Sequence, residues 1–303
     1  MAVAETWSQT DSPSAYVPRL GEPLGPDTLT WRLVGDYRWM LVGMRAGLLQ
    51  TMHPAVNQAL RDHDSTYFQG PMKRILRSLP QILGVVYDED AAARGAKVRS
   101  YHKPLEGRLP DGSDYHALSP DVFYWPHATF FEAQIAAMEF FGTPLSQEQK
   151  ERLYQESVQW YSLYGMSMKP VPASYRDFCS YWDEMIDSGL EINSFARGTF
   201  RKRKGAFGAS PFRWVPEFVW RPVSDVQYAV LVWVLRGTFP PRLRERMDLA
   251  WTPADERKLR ALRAVLALLD RLPLQWRLVP QARAAWRRQR RQRGMGSPRS
   301  EMH

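Results

Sequence analysis

The sequence predicts a mainly α fold, a single helical domain with one small β-hairpin, globin-like packing of the helices being among the arrangements it allows. Three features lead there. Apolar residues recur at spacings of three and four through most of the chain after Asp27, the period of a helix with one buried stripe. Helix-start chemistry repeats at Ser119-Pro120-Asp121, at Ser146 with Gln149 three residues on, and at Thr252-Pro253, each supplying a capping oxygen for the orphan amides of a first turn. Strand signals are few and gather on either side of a turn at Leu109–Asp114.

Bulk properties narrow the class. A chain of 303 residues with 44% hydrophobic content can bury one sizeable core. Its single cysteine, Cys179, excludes an internal disulfide and any cysteine-built zinc or iron–sulfur site within the monomer, which makes a reducing cytoplasm the simplest compartment. The first twenty residues have neither a basic n-region nor an apolar h-region, so no secretory signal is expected. No apolar run approaches the roughly eighteen residues a membrane span requires. The net charge of +9 is uneven: from Arg257 to His303 there are thirteen Lys or Arg against Asp270 and Glu301, leaving the rest slightly acidic. Basicity confined to the tail disfavours nucleic acid as a partner, while peripheral membrane contact through that tail, with the aromatic segments Trp214–Trp220 and Trp276–Trp286 at headgroup depth, stays open.

In chain order, residues 1–26 read as a flexible or surface-draped lead-in rich in Ser, Pro and Thr. Helical spacing of Leu29, Leu33, Met40, Met44, Leu48 and Met52 then runs on, interrupted by Gly35, Gly43 and Gly47; glycines there imply close backbone approach, to another helix or to a flat cofactor. His53-Pro54 marks a break, with a new helix to about His63. Lys73–Tyr87 reads as helix, kinked or restarted at Pro80. Asp88, Glu89 and Asp90 introduce a helix that carries Val98, Arg99 and His102. Short strands at Pro104–Arg108 and Tyr115–Leu118 flank the turn, with His116 read as surface.

A helix from Val122, or from a restart at Pro126, to Phe141 places His127, Phe130, Phe131, Gln134 and Met138 on one face, with Glu132 on another side. Further helices are expected from Ser146 to Tyr164, from Ser174 to Gly189 with Cys179 a small buried apolar group, and from Asp255 to Leu272. A basic, fraying one at Gln281–Arg293 follows. Arg201–Lys204 and the glycine-bearing stretch after it read as an exposed loop, either solvated or membrane-touching. Domains are accordingly 1–26, a helical domain 27–280, and a basic tail 281–303.

His127 and His102 sit on two predicted helices with an aromatic-rich loop between them, an arrangement that can close on a metal cofactor. An imidazole among aromatic residues also serves as a hydrogen-bonded core or capping group, and spacing alone leaves both roles open. Arg99 and His102 are three apart on one helical face, with Lys103 one residue further round; by themselves they also read as an ordinary basic surface. The chain contains no GxGxxG, phosphate-binding loop, HExxH or GxSxG, which lowers the odds of nucleotide-dependent, zinc-protease and serine-hydrolase chemistry.

The segments GDYRWMLVGMRAGLLQTMHPAVNQALRDHD, VRSYHKPLEG, SDYHALSPDVFYWPHATF and FPPRLRERMDLAWTPADER, in this order between about Trp31 and Arg288, resemble the DUF2236 family. That family holds the MpaB-type oxygenases and the latex-clearing rubber oxygenases, which are b-type haem proteins. The resemblance implies haem b, with His127 as proximal iron ligand, Phe131 and His53 lining the cofactor pocket, and Arg99 on a propionate. His102 or Lys103 would then lie on the distal side, as a second ligand or facing bound dioxygen. A distal lysine of the rubber oxygenases lies on a short Arg-led segment; the comparable run here, Arg99–Lys103, has His102 where that lysine is expected. The carboxylate suggested as base in the rubber oxygenases has no clear counterpart in this sequence, Asp88 and Glu89 being the nearest acids.

The function so implied is a haem-dependent oxygenase or peroxidase-like oxidoreductase acting on an apolar, isoprenoid or lipid-like substrate with dioxygen or peroxide, in the cytoplasm or peripherally at a membrane. Two alternatives come from other classes: a non-catalytic haem-binding or electron-transfer protein, and a membrane or nucleic-acid binder acting through its basic tail.

Overall fold

The computed structural model describes residues 16–64, 71–201, 205, 210 and 214–295, the side chains of 71–76 and 293–295 excepted. Among these residues there are fourteen α-helices and one two-stranded antiparallel sheet, a mainly α fold. The first helices are α1 (Leu29–Leu33), α2 (Tyr37–Met52), α3 (Pro54–His63), α4 (Pro71–Tyr87) and α5 (Ala91–Ser100). The hairpin, β1 (Glu106–Arg108) paired with β2 (Asp114–His116) in the register Gly107 opposite Tyr115, leads into α6 (Pro120–Phe141). After it come α7 (Gln147–Ser162), α8 (Tyr175–Glu184) with a π-helical turn at Met185–Gly189, and α9 (Ser194–Thr199). The chain then forms α10 (Glu217–Thr238), α11 (Pro241–Arg246), α12 (Pro253–Ala267), α13 (Leu274–Arg277) and α14 (Pro280–Met295).

The central helix is α6. It lacks the polar stripe of a surface helix, and residues all round it are buried, from Phe123 and Trp125 to Met138 and Phe141, as expected of a helix enclosed by others. Its closest companion is α2. Glu132 of α6 meets Arg45 of α2 in a two-point ion pair, and Arg45 also donates Nε–H to the Thr238 carbonyl at 2.8 Å. A charge this buried is tolerable because its donors are matched.

Glycine and buried charge together tie the two ends of the chain. A Cβ on Gly35 would lie 2.4 Å from Cβ of Ala282 and 2.6 Å from the Tyr87 hydroxyl, so only glycine lets α14 in at this point. The Val279 amide donates to the Gly35 carbonyl at 2.8 Å, and Asp36 pairs with Leu278 as a β-bridge. Arg38, 1% exposed, donates Nε–H and Nη2–H to Asp36 at 3.0 and 2.8 Å and Nη1–H to Asp270 at 2.8 Å, while Arg277 also reaches Asp270 at 2.8 Å. Each buried charge therefore meets an opposite one through hydrogen bonds.

Several expectations change here. The helix from Ala91 stops at Ser100, so His102 lies in the turn that follows rather than on the helix. Of the alternatives left open at Pro80 and Pro126, a restart is excluded, since both prolines lie within continuous helices. Most of the aromatic segment Trp214–Trp220 belongs to a long helix, α10. Of the interrupting glycines, Gly35 makes the close approach expected of it, whereas a Cβ on Gly43 would meet nothing within 4 Å. Cys179 is half-buried. The basic C-terminal segment begins as a docked helix: Ala282 and Ala285 are fully buried, Trp286 packs edge-on against Trp31, and Arg288 donates to the Tyr87 carbonyl at 2.7 Å.

At the other end, residues from Tyr16 onward lie along α7. The Gln159 amide oxygen accepts from the Tyr16 hydroxyl and the Arg19 amide at 2.7 and 2.9 Å. Most of the expected exposed loop at 201–213, residues 65–70, the first fifteen residues and residues 296–303 lie outside the described residues.

Candidate functional site

His127 lies two turns into α6 and points at α7. Its Nε2 is 3.0 Å from the Ser157 carbonyl oxygen and 2.9 Å from Ser157 Oγ, whereas Nδ1 is buried with no hydrogen-bond partner. Aromatic rings enclose it: Trp160 at 5.0 Å, Tyr161 at 5.1 Å, Tyr164 at 6.0 Å and Tyr124 at 6.1 Å between centroids. Burial pushes its pKa down to about 3, against a smaller opposing pull from the Ser157 carbonyl, so the ring is neutral at physiological pH. With the Ser157 carbonyl as the fixed acceptor, the proton is assigned to Nε2 and Nδ1 carries the lone pair.

His102 is half-buried in the turn after α5. Its Nδ1 lies 2.9 Å from the Val98 carbonyl, which assigns the proton to Nδ1, and its ring meets Phe123 edge-on at 5.2 Å. Phe123 in turn touches Tyr164 at 5.5 Å and Tyr161 at 6.3 Å, the same two rings that enclose His127. The two histidines are therefore brought to opposite sides of one aromatic cluster, with Phe123, Tyr161 and Tyr164 between them.

The helix α5 reaches this cluster because of Gly95, where a Cβ would lie 2.1 Å from the Leu163 carbonyl oxygen. From the same helix Arg99 donates Nη1–H to the Gly165 carbonyl at 2.5 Å. Gly165, with φ at +64°, adopts the left-handed conformation that closes α7. Lys103 is exposed.

The remaining candidates lie elsewhere. Phe131, one turn along α6 from His127, is wholly buried against Phe178 at 4.7 Å, Tyr154 at 5.4 Å and Tyr175 at 6.3 Å. His53 occupies the corner between α2 and α3; its Nδ1 is buried without a partner, and burial pushes its pKa down to about 4, with Asp121 opposing. His63 contacts the Glu106 carbonyl at 3.1 Å and His116 accepts the Leu118 amide at 2.9 Å, both local ties at the hairpin. Asp88 is paired with Arg94 at 2.6 Å and Glu89 with Arg288 at 3.5 Å. Among the described residues no group of three or more His, Cys, Asp or Glu side chains converges to hold a bare metal ion.

Sequence reasoning missed the α7 half of the cluster. Ser157, Trp160, Tyr161 and Tyr164 follow at i, i+3, i+4 and i+7, the spacing of one helical face, and that polar-aromatic stripe was the available signal. It also gave no special weight to Gln134, which is fully buried on α6 with neither its amide nitrogen nor its oxygen bonded. Buried polar atoms without partners are rare in proteins. His127 Nδ1, Gln134, the Trp160 indole nitrogen and the Tyr161 hydroxyl give α6 and α7 four such residues.

A mainly helical protein built round a buried neutral imidazole in an aromatic cage is what the fold and the site define. The model of the family described as ER-bound oxygenase mpaB/B′ and rubber oxygenase, catalytic domain, matches residues 31–268, and the chain belongs to that family. It is also similar to an uncharacterized protein of Mycobacterium bovis and to one of Mycobacterium tuberculosis. Each is 26% identical over 182 residues, which cover 60% of this chain and 67% of the relative. No solved structure matches.

Proposed function

We propose that the chain is a haem b-dependent oxygenase, or peroxidase-like oxidoreductase, acting on an apolar substrate of isoprenoid or lipid type with dioxygen or peroxide. The family of oxygenase catalytic domains supports the reaction class. The observation that carries the cofactor reading is His127: a buried neutral imidazole whose second nitrogen is held by Ser157 while Nδ1 has no partner. Metal-ligating histidines are oriented in this way by a carbonyl on the far nitrogen. In donor chemistry the residues fit an iron porphyrin, which supplies its own equatorial nitrogens and needs one axial ligand from the protein. In space, Phe123, Tyr161 and Tyr164 fill the interval between His102 and His127, so admitting a macrocycle between the imidazoles requires those rings to part.

Bound there, the haem would supply dioxygen or peroxide activation for oxidation at a carbon–carbon double bond. The protein groups have separable tasks. Ser157 holds the proton on Nε2 of His127, and burial keeps a second proton off, so Nδ1 remains a donor well below neutral pH. Arg99, at the mouth of the cluster, can exchange the Gly165 carbonyl for a carboxylate, a charge-assisted and more favourable partner. The Val98 carbonyl fixes the His102 tautomer, with the proton on Nδ1. Lys103 starts from solvent and has to fold inward to serve on the distal side. The aromatic walls exclude water and present apolar surface to an apolar substrate.

Oxygen uptake by the haem-loaded protein, measured with isoprenoid oligomers and with unsaturated fatty-acid esters, tests the activity. Uptake with either, coupled to carbonyl or hydroperoxide products, is the expected outcome. No uptake and no peroxide-dependent oxidation of either class would refute it.

A further inference from the structure

The helix α10 carries an apolar face that nothing among the described residues covers. Phe218, Val226 and Val230 are 79%, 64% and 51% exposed, and Val219 and Val223 are 43% and 47% exposed; with Pro222, also exposed, they fall within an arc of about 140° at 100° per residue. Between Phe218 and Val230 no charged side chain shares the arc. Arg221 lies outside it and pairs with Glu217 at 3.2 Å, and Asp225 accepts the Gly205 amide at 2.8 Å. A continuous exposed patch of this kind marks an interaction surface.

We propose that this face of α10 is a docking surface for an anionic lipid bilayer, into which the helix settles parallel to the membrane plane. Two observations choose the occupant. Specific protein interfaces carry about one hydrogen bond per 100–200 Å², and this arc offers valine, phenylalanine and proline with no polar group, which suits the acyl boundary rather than a second protein. Charge then selects the lipid. The Tyr228 hydroxyl donates to the Thr199 carbonyl at 3.1 Å and Asp225 accepts the Gly205 amide at 2.8 Å, two ties that hold the exposed Arg197 and Arg201 next to the first half of α10. Trp214, 81% exposed, stands three residues before the helix. Apolar insertion beside exposed arginines, with tryptophan at the headgroup level, is the physics of an interfacial helix. Among the described residues no helix is long and apolar enough to cross a membrane, so the attachment is peripheral and reversible. The inference does not depend on the cofactor.

The test is co-sedimentation of the full chain with vesicles of phosphatidylcholine alone and of phosphatidylcholine with about a quarter phosphatidylglycerol. The native chain should bind the anionic vesicles more tightly than the neutral ones and release with salt. Val226→Asp with Val230→Asp, at positions too exposed to affect folding, should leave the thermal melt unchanged and weaken binding by about tenfold or more. Val265→Asp, at a 62% exposed position on α12, should bind as the native chain does. Absence of binding, equal binding by the α10 variant, or an equal loss in Val265→Asp would overturn the proposal. So would self-association in lipid-free buffer that the α10 variant abolishes, since the face would then belong to a second copy.

Discussion

Acidification should destabilise this fold through two histidines that must stay neutral to remain inside. His127 is pushed by burial to about 3 and His53 to about 4, against an ordinary value near 6.5. In the window between those values the unfolded chain binds a proton that the folded chain refuses. Stability is therefore fully present above the unfolded value and is lost as pH falls below it. Going from about pH 7 to about pH 5, each histidine contributes a loss of about 1.9 kcal/mol, or about 3.7 kcal/mol together. The figure hardly depends on how far below 5 the folded values lie, which makes it a robust quantity. Burial raises the Glu156 carboxyl, and that acts in the opposite direction at the acid end. A comparison of variants removes it. Urea unfolding of the native chain and of His127→Gln at both pH values should show the variant losing about 2 kcal/mol less on acidification. Equal losses would show that His127 takes up a proton in the folded state and is not the sealed neutral imidazole described above. Iron bound at Nδ1 would also exclude the proton, so the sign holds for the loaded protein.

Further outcomes follow from the same geometry. Asp36→Ala strips Arg38 of two hydrogen bonds inside the core and removes the cap of α2, and should cost about 3–5 kcal/mol by urea unfolding; a loss under about 1 kcal/mol would contradict a buried ion network. Gly95→Ala forces a methyl onto the Leu163 carbonyl and should destabilise by about 1–3 kcal/mol. Gly43→Ala, in the open interior of α2, should stabilise by about 0.5–1 kcal/mol; melting temperatures that move in the same direction for both would refute the packing described here. In the haem-loaded protein, His102→Ala should shift the ferric spectrum towards high spin with haem content unchanged, and Arg99→Ala should lower haem retention. The reverse pattern would exchange their assigned roles.

The sequence showed most of what is local and less of what is tertiary. Caps at Ser146 and Thr252 and the break at His53-Pro54 were legible because a capping oxygen or a proline acts on its own turn. The extent of α10 was not: its β-branched run and Pro222 argue against helix locally, and packing of Val232, Val234 and Leu235 outweighs them. The helix α14 looked like a solvated basic tail because its arginines dominate the composition, while its docking depends on two alanines and on Gly35, some 250 residues earlier, and that pairing leaves no periodic trace. At the site, His127 and His102 were legible as candidates. That they share an aromatic cluster depends on Phe123 and on α7, whose Ser157, Tyr161 and Tyr164 become visible as partners only once α6 and α7 are packed together.

The absorption spectrum of the purified chain, taken as isolated and after reduction under carbon monoxide, beside that of His127→Ala, tests the central reading most directly. The account predicts a b-type Soret band in the native protein, a carbon monoxide complex on reduction, and loss of the band or of most of the haem in the variant. A native protein that takes up no haem, or a variant that keeps its full complement with an unchanged spectrum, would contradict it.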